Sequence, residues 1–277
     1  MGEAFGERLH RSSLGPRLLT AVVGIPLVML ALWAGEVWWA VLTAAVAALG
    51  WAEFVRLHAL GRLSRNIIAV QLAGLFAVLY WGDEILLPIL LTFWALAIVF
   101  AGAGFLLRSD HPGRGYRTAA ALALGAFYLG VPTSILARWR LEYAAWSILA
   151  FLLVIWANDT AAYFVGLAAG RHKLASRISP GKSWEGAAAG LAAGAIVGAA
   201  VADLLQMQPV GGLLFGALTT IASQFGDLFE SAMKRKAGMK DSGTLLPGHG
   251  GILDRFDGIL VAAPIAYMLV RAWAGNG

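Results

Sequence analysis

Residues 143–168 read YAAWSILAFLLVIWANDTAAYFVGLA. The run is apolar and long enough to cross a membrane as a helix, for which about 20 such residues are needed. It is interrupted by Asn158, Asp159 and Thr160. Asp159 and Tyr163 stand four apart and share a helix face. A carboxylate near the centre of a membrane helix costs about 2.5–3.5 kcal/mol on insertion scales. The segment is therefore a transmembrane helix with a polar patch. On its own the patch reads equally as a helix–helix hydrogen bond, a group reaching interfacial water, or one wall of a site.

The rest of the chain extends this reading. Of 277 residues, 59% are hydrophobic and 13% charged, and the mean hydropathy is +0.72, far from the average soluble domain. The expected fold is an all-α polytopic membrane protein with about nine transmembrane helices, at roughly 18–35, 37–55, 66–82, 85–107, 118–137, 143–168, 184–202, 210–230 and 258–274. Residues 1–17 are expected to form a cytoplasmic tail, 18–142 the N-terminal helices, and 143–277 a second helical region that carries the polar clusters. The first span follows a basic stretch but lacks a clear small-x-small cleavage site, so it is expected to be retained. With the N-terminus inside, 18 of the 21 basic residues fall on the cytoplasmic side, leaving Arg138, Arg140 and Arg271 outside. That asymmetry is what the positive-inside rule demands. Orientation and contact with anionic membrane lipid explain the pI of 9.7, so no nucleic-acid partner is expected. The location expected is the cell inner (plasma) membrane. There are no cysteines, which excludes disulfides and thiolate chemistry. The five histidines show no zinc-ligand spacing.

Two further polar clusters fall on the same side of the membrane as Asp159. Ser179-Pro180-Gly181-Lys182-Ser183-Trp184-Glu185-Gly186 turns into the span at 184–202, whose first amides, with Lys182, would suit a phosphate. An ordinary capped helix with a basic loop is the bland reading. A Walker phosphate loop is rejected, because Arg177 stands where its upstream glycine belongs and no strand is expected before it. In the other cluster, Gln224, Asp227, Ser231 and Lys234 lie on one helix face, and Asp254 and Asp257 open the last span. Acidic helix ends brought together would supply oxygen ligands for Mg²⁺. Within 184–202, Gly186, Gly190, Gly194 and Gly198 recur every fourth residue. They form a groove for close approach of another helix, that of 143–168 or 210–230, with a homodimer seam as the competing reading.

Residues 231–257, SAMKRKAGMKDSGTLLPGHGGILDRFD, carry a denser signature: Ser231, Lys234-Arg235, Lys240-Asp241, Pro247–Gly251 and Asp254-Arg255-Phe256-Asp257. Together with Asp159-Thr160, Ser179–Gly186 and Gln224–Leu228, this resembles the phosphatidate cytidylyltransferases (CDP-diacylglycerol synthases), strongly over about residues 150–260. Departures are mild: Gly181 and Ser183 stand where lysine or threonine would serve as well. The resemblance implies that CTP and phosphatidate give CDP-diacylglycerol and pyrophosphate at a cytoplasmic-facing site. It implies catalytic roles for Asp227, Asp254, Lys234, Arg255 and Asp257. Substrate binding would fall to Ser179, Lys182, Ser183, Ser231, Arg235, Lys240, Asp241, His249, Gly250 and Gly251. Asp227, Asp254 and Asp159 would hold Mg²⁺, with room for a second metal ion. A transporter is the alternative from another class, since buried carboxylates also mark ion pathways, but here they gather at one face and no inverted repeat is evident. A CTP-dependent lipid kinase is a further alternative. A CDP-alcohol phosphotransferase is disfavoured because its D-G-x-x-A-R motif is missing.

Overall fold

The computed structural model of the protein describes residues 14–82, 112–245 and 250–274, with five more between 95 and 103. The span expected at 85–107 and His249 lie essentially outside the described residues. Helices α1 (Leu14–Trp33), α2 (Glu36–Leu57) and α3 (Arg62–Trp81) come first. Helices α4 (Pro112–Gly125) and α5 (Val131–Glu142) then form one rod through a π-helical turn at Ala126–Gly130. Pro132 explains the turn, because without an N–H it cannot close an α-helical bond to the carbonyl four residues back. Hydroxyls take up the loosened carbonyls: Thr133 Oγ1 donates to Leu129 O at 2.6 Å and Ser134 Oγ to Gly130 O at 2.7 Å.

The second half comprises α6 (Ala145–Ala169), a two-stranded hairpin β1 (Lys173–Ala175) and β2 (Ser179–Ser183), α7 (Trp184–Ala200), α8 (Pro209–Lys236) and α9 (Leu253–Ala274). The hairpin is antiparallel, pairing Lys173 with Ser183 and Ala175 with Ser179. It is the one departure from an all-α fold among the described residues.

Among the described residues, four helical stretches are long and apolar enough to cross a membrane: 36–57, 115–142, 145–169 and 253–273. Outward-facing Val22, Leu30, Val70, Phe164, Ile196, Val210 and Met268 are each more than half exposed. So much unpartnered apolar surface suits lipid and not water. Inside, Trp139, Ile148, Phe151, Phe215, Ala262 and Ala266 pack in one core, and Phe54, Leu122, Leu129, Leu253 and Leu260 in another. Lipid tails are as apolar as leucine, so close packing and hydrogen bonds, more than burial itself, hold such helices together.

Two of the arginines that the charge count leaves on the far side have structural partners. Arg138 Nη1 donates to Gly82 O at 2.8 Å, and Arg140 Nε to Leu32 O at 3.2 Å. These carbonyls end α3 and α1, where a cation satisfies an orphan acceptor and the helix dipole. Glu142 pairs with Arg138 and accepts from Tyr267 OH at 2.5 Å, which ties α5 to α9.

Candidate active site

The ends of α6 and α8 and the starts of α7 and α9 meet at one end of the bundle, around a cavity of about 830 Å³. Glycine makes the meeting close. The α7 glycines 186, 190, 194 and 198 are all buried. A Cβ at Gly186 would meet Ala162 O at 2.7 Å, and one at Gly190 would strike Asn158 Oδ1. At Gly194 it would strike Thr220 Oγ1, and at Gly198 the carbonyl of Gly212. The groove is thus filled by α6 and α8 of the same chain, so this face does not serve as a homodimer seam.

That packing aligns a polar chain. Gln224 Nε2 donates to Asn158 Oδ1 and to Ala187 O, both at 2.9 Å, and Asn158 Nδ2 donates to Asp159 Oδ1 at 2.9 Å. Asp159 is thereby oriented at the cavity wall. Across from it, Asp227 Oδ2 pairs with Lys182 of β2. Ser231 Oγ lies 3.4 Å from Asp227 Oδ1, behind the wall.

Lys234 sits between two carboxylates, paired with Glu230 and 2.5 Å from Asp254 Oδ1. Asp254 Oδ2 accepts from Ser242 N at 2.9 Å and from Gly251 N at 2.7 Å, with Ser242 Oγ also 2.9 Å away. Gly250, at φ +78°, has no room for a Cβ, which would strike Asp254 Oδ2. Asp257 Oδ1 accepts from Gly258 N at 2.7 Å, and Gly226 lets α8 approach the Asp257 carbonyl.

Of the residues singled out from sequence, Asp159, Ser179, Lys182, Ser183 and Asp227 line this cavity, as do Lys234, Asp241, Asp254, Arg255 and Asp257. Others have different work. Arg235 donates to Ile178 O at 3.1 Å and Met239 O at 3.2 Å, fastening the hairpin turn to the end of α8. Lys240 is exposed and outside the lining. Ser183 caps α7 by accepting from Gly186 N at 3.1 Å, while Trp184 N donates to His172 O at 2.9 Å. The first turn of α7 therefore presents fewer unengaged amides to a phosphate than its sequence suggests.

Sequence reasoning missed Glu53, Glu230 and Ser242, while Asn158, named there only as part of the polar patch, makes the helix–helix hydrogen bond. Glu230 is fully buried against Lys234. Glu53, 1% exposed, accepts from Ser242 Oγ, Ile252 N and Leu253 N. The cost argument that singled out Asp159 applies equally to these two carboxylates within apolar spans.

Around and directly behind the cavity, Glu53, Asp159, Asp227, Glu230, Asp241, Asp254 and Asp257 outnumber Lys173, Lys182, Lys234 and Arg255. Phosphate groups could enter such surroundings only with added positive charge. Among the described residues no three His, Cys, Asp or Glu side chains converge as a closed metal cage. The donor set instead suits Mg²⁺, which commonly takes one or two carboxylates, with waters and substrate phosphates completing its shell.

The chain matches the model of the cytidylyltransferase family over residues 15–273. It is 36% identical over 269 residues, 95% of each chain, to the phosphatidate cytidylyltransferase of Brucella suis. Against the protein of that name from Thermotoga maritima it is 34% identical over 269 residues, 94% of this chain and 97% of the relative. For that of Pseudomonas aeruginosa the figures are 36% over 272 residues, 94% and 97%.

Proposed function

The chain belongs to the cytidylyltransferase family, and we propose that it transfers the cytidylyl group of CTP to phosphatidate, giving CDP-diacylglycerol and pyrophosphate for phospholipid biosynthesis. The observation that carries this reading is the convergence of Asp159, Lys182, Asp227, Lys234, Arg255 and Asp257 on one cavity at the end of a membrane bundle.

A phosphate oxygen of phosphatidate attacks the α-phosphorus of CTP. The bond from that phosphorus to the bridging oxygen breaks, and pyrophosphate leaves with the electron pair. The attacking oxygen is already anionic, so no covalent enzyme intermediate is needed. What the protein must do is bring two anions together in line. Lys182 and Arg255 reach the cavity from different elements, β2 and α9, and would bind phosphate groups of the two substrates. Lys234 is held on the wall between Glu230 and Asp254. Asp227 and Asp254 would hold Mg²⁺, with Asp159 and Asp257 close by as ligands or supporting groups, and the ion would polarise the phosphoryl oxygens and neutralise the developing charge. A second metal ion is compatible with the surplus of carboxylates.

The site end of the bundle carries Arg171, Lys173, Arg177 and Lys182 on one connection and Lys234–Lys240 on the next. This bias supports a cytoplasmic-facing site in the inner membrane. Product analysis tests the reaction class: a CDP-lipid with pyrophosphate supports the proposal, whereas CDP with a phosphorylated lipid would identify a CTP-dependent lipid kinase.

A further inference from the structure

Helix α9 begins without a side chain of its own able to cap it. The Ile252 carbonyl accepts from Arg255 N at 3.0 Å and Phe256 N at 3.1 Å, which makes Ile252 the capping position. Isoleucine offers no oxygen to the free amides of a first helical turn. The acceptor comes instead from α2. Glu53 Oε1 accepts from Ile252 N and Oε2 from Leu253 N, both at 2.9 Å, across 199 and 200 residues of chain. Oε2 also accepts from Ser242 Oγ at 2.7 Å. One carboxylate thus grips the chain at Ser242, six residues past the end of α8, and at Ile252–Leu253, where it enters α9.

The surroundings are built around this group. Glu53 is 1% exposed, and a buried carboxylate is tolerated only when its lone pairs are satisfied. All three of its partners are donors, so a neutral isostere could not replace it. Glycines stand where any side chain would collide: a Cβ at Gly243 would meet Oε1 at 2.6 Å, and one at Gly251 would meet Cδ at 2.5 Å. Ser242 carries the connection onward, with its amide and its Oγ each 2.9 Å from Asp254 Oδ2, and Asp254 Oδ1 holds Lys234. A path of direct contacts therefore runs from a helix in the first half of the chain to two side chains on the cavity wall.

We propose that Glu53 is a positioning residue: it fixes Ser242 and Ile252–Leu253 and, through Ser242, sets where Asp254 and Lys234 stand in the cavity. Its kinetic consequence rests on the cytidylyl-transfer reading; its structural consequence does not. The test uses full-length Glu53→Gln in detergent, alongside wild type. The amide must turn its NH₂ toward at least one donor, so at least one grip becomes a repulsion. Hydrogen exchange at Ile252 and Leu253 should quicken while α6 and α7 stay protected. The kcat should fall about a hundredfold, as for a misplaced reacting geometry, with the KM for phosphatidate within about twofold of wild type. Should Glu53→Gln fail to fold, Ser242→Ala, which leaves the cap of α9 in place, should give the same kcat-selective loss at about tenfold. Unchanged exchange at Ile252 and Leu253, or a kcat that falls only in proportion to the folded fraction, would overturn the proposal. Wild type that cannot convert CTP and phosphatidate would instead sink the reaction assignment, and the exchange data would still decide the role of Glu53.

Discussion

Gln224 on α8 crosses Gly190 of α7 to donate to Asn158 on α6 at 2.9 Å. The crossing works because position 190 has no side chain: a Cβ there would lie 3.1 Å from Gln224 Nε2 and would strike Asn158 Oδ1. Three helices are thereby locked in one register, and Asp159 is aimed from α6.

Gly190→Leu should break that lock. Overpacking of a close interface costs about 1–3 kcal/mol. The expected outcome is a lower melting temperature and reduced turnover. The oligomeric state, read by light scattering in detergent, should not change, because the groove is occupied from within the chain. Loss of a dimer with activity retained in the monomer would contradict this.

Asp227→Asn and Asp254→Asn remove charge but not volume. Each should lower turnover by about a hundredfold or more, the scale on which metal-site groups act. The melting temperature should stay near that of wild type for Asp227→Asn, whose pair with Lys182 is part-exposed, and fall for Asp254→Asn, whose amide must turn its NH₂ toward Lys234 or toward the donors at Oδ2. Near wild-type activity at saturating Mg²⁺ in either variant would remove that residue from the metal assignment.

Lys234→Met should be costly for stability. It leaves Glu230, which is 0% exposed, without its cation. Breaking a buried pair by removing one partner costs about 3–5 kcal/mol. Adding Glu230→Gln to the same chain should recover much of the loss, and a double-mutant cycle from unfolding curves measures the coupling. Additive effects would show that the pair contributes nothing.

Much of the fold was legible because a membrane crossing is a one-dimensional property. The expected spans 37–55, 143–168 and 184–202 reappear as helices Glu36–Leu57, Ala145–Ala169 and Trp184–Ala200, the first two of them long enough to cross. Asp159, Asp227 and Asp254 were legible for a related reason, since a carboxylate in an apolar chain is conspicuous. What the sequence hid was pairing. Glu53 stands in an apolar span like Asp159, but its partners lie about 200 residues away, and nothing local announces them. Strands of three and five residues are too short to reveal an alternation, so the hairpin at 173–183 read as a loop. Arg235 read as a phosphate ligand because its charge is local, whereas its carbonyl partner Ile178 is brought near only by the fold.

Topology provides a separate check. The account expects nine crossings with the N-terminus inside. A reporter fused after Gly277 should register the outer side, and one in the 108–117 loop the cytoplasm. A cytoplasmic C-terminus would mean that one short span, 66–82 first of all, does not cross.

The most direct test incubates the purified full-length protein with CTP labelled in its cytosine ring and with phosphatidate, with and without Mg²⁺. The account predicts a labelled CDP-lipid and equimolar pyrophosphate, formed only when both phosphatidate and Mg²⁺ are present. Labelled CDP with no labelled lipid, or product formed equally well with the metal chelated, would contradict it.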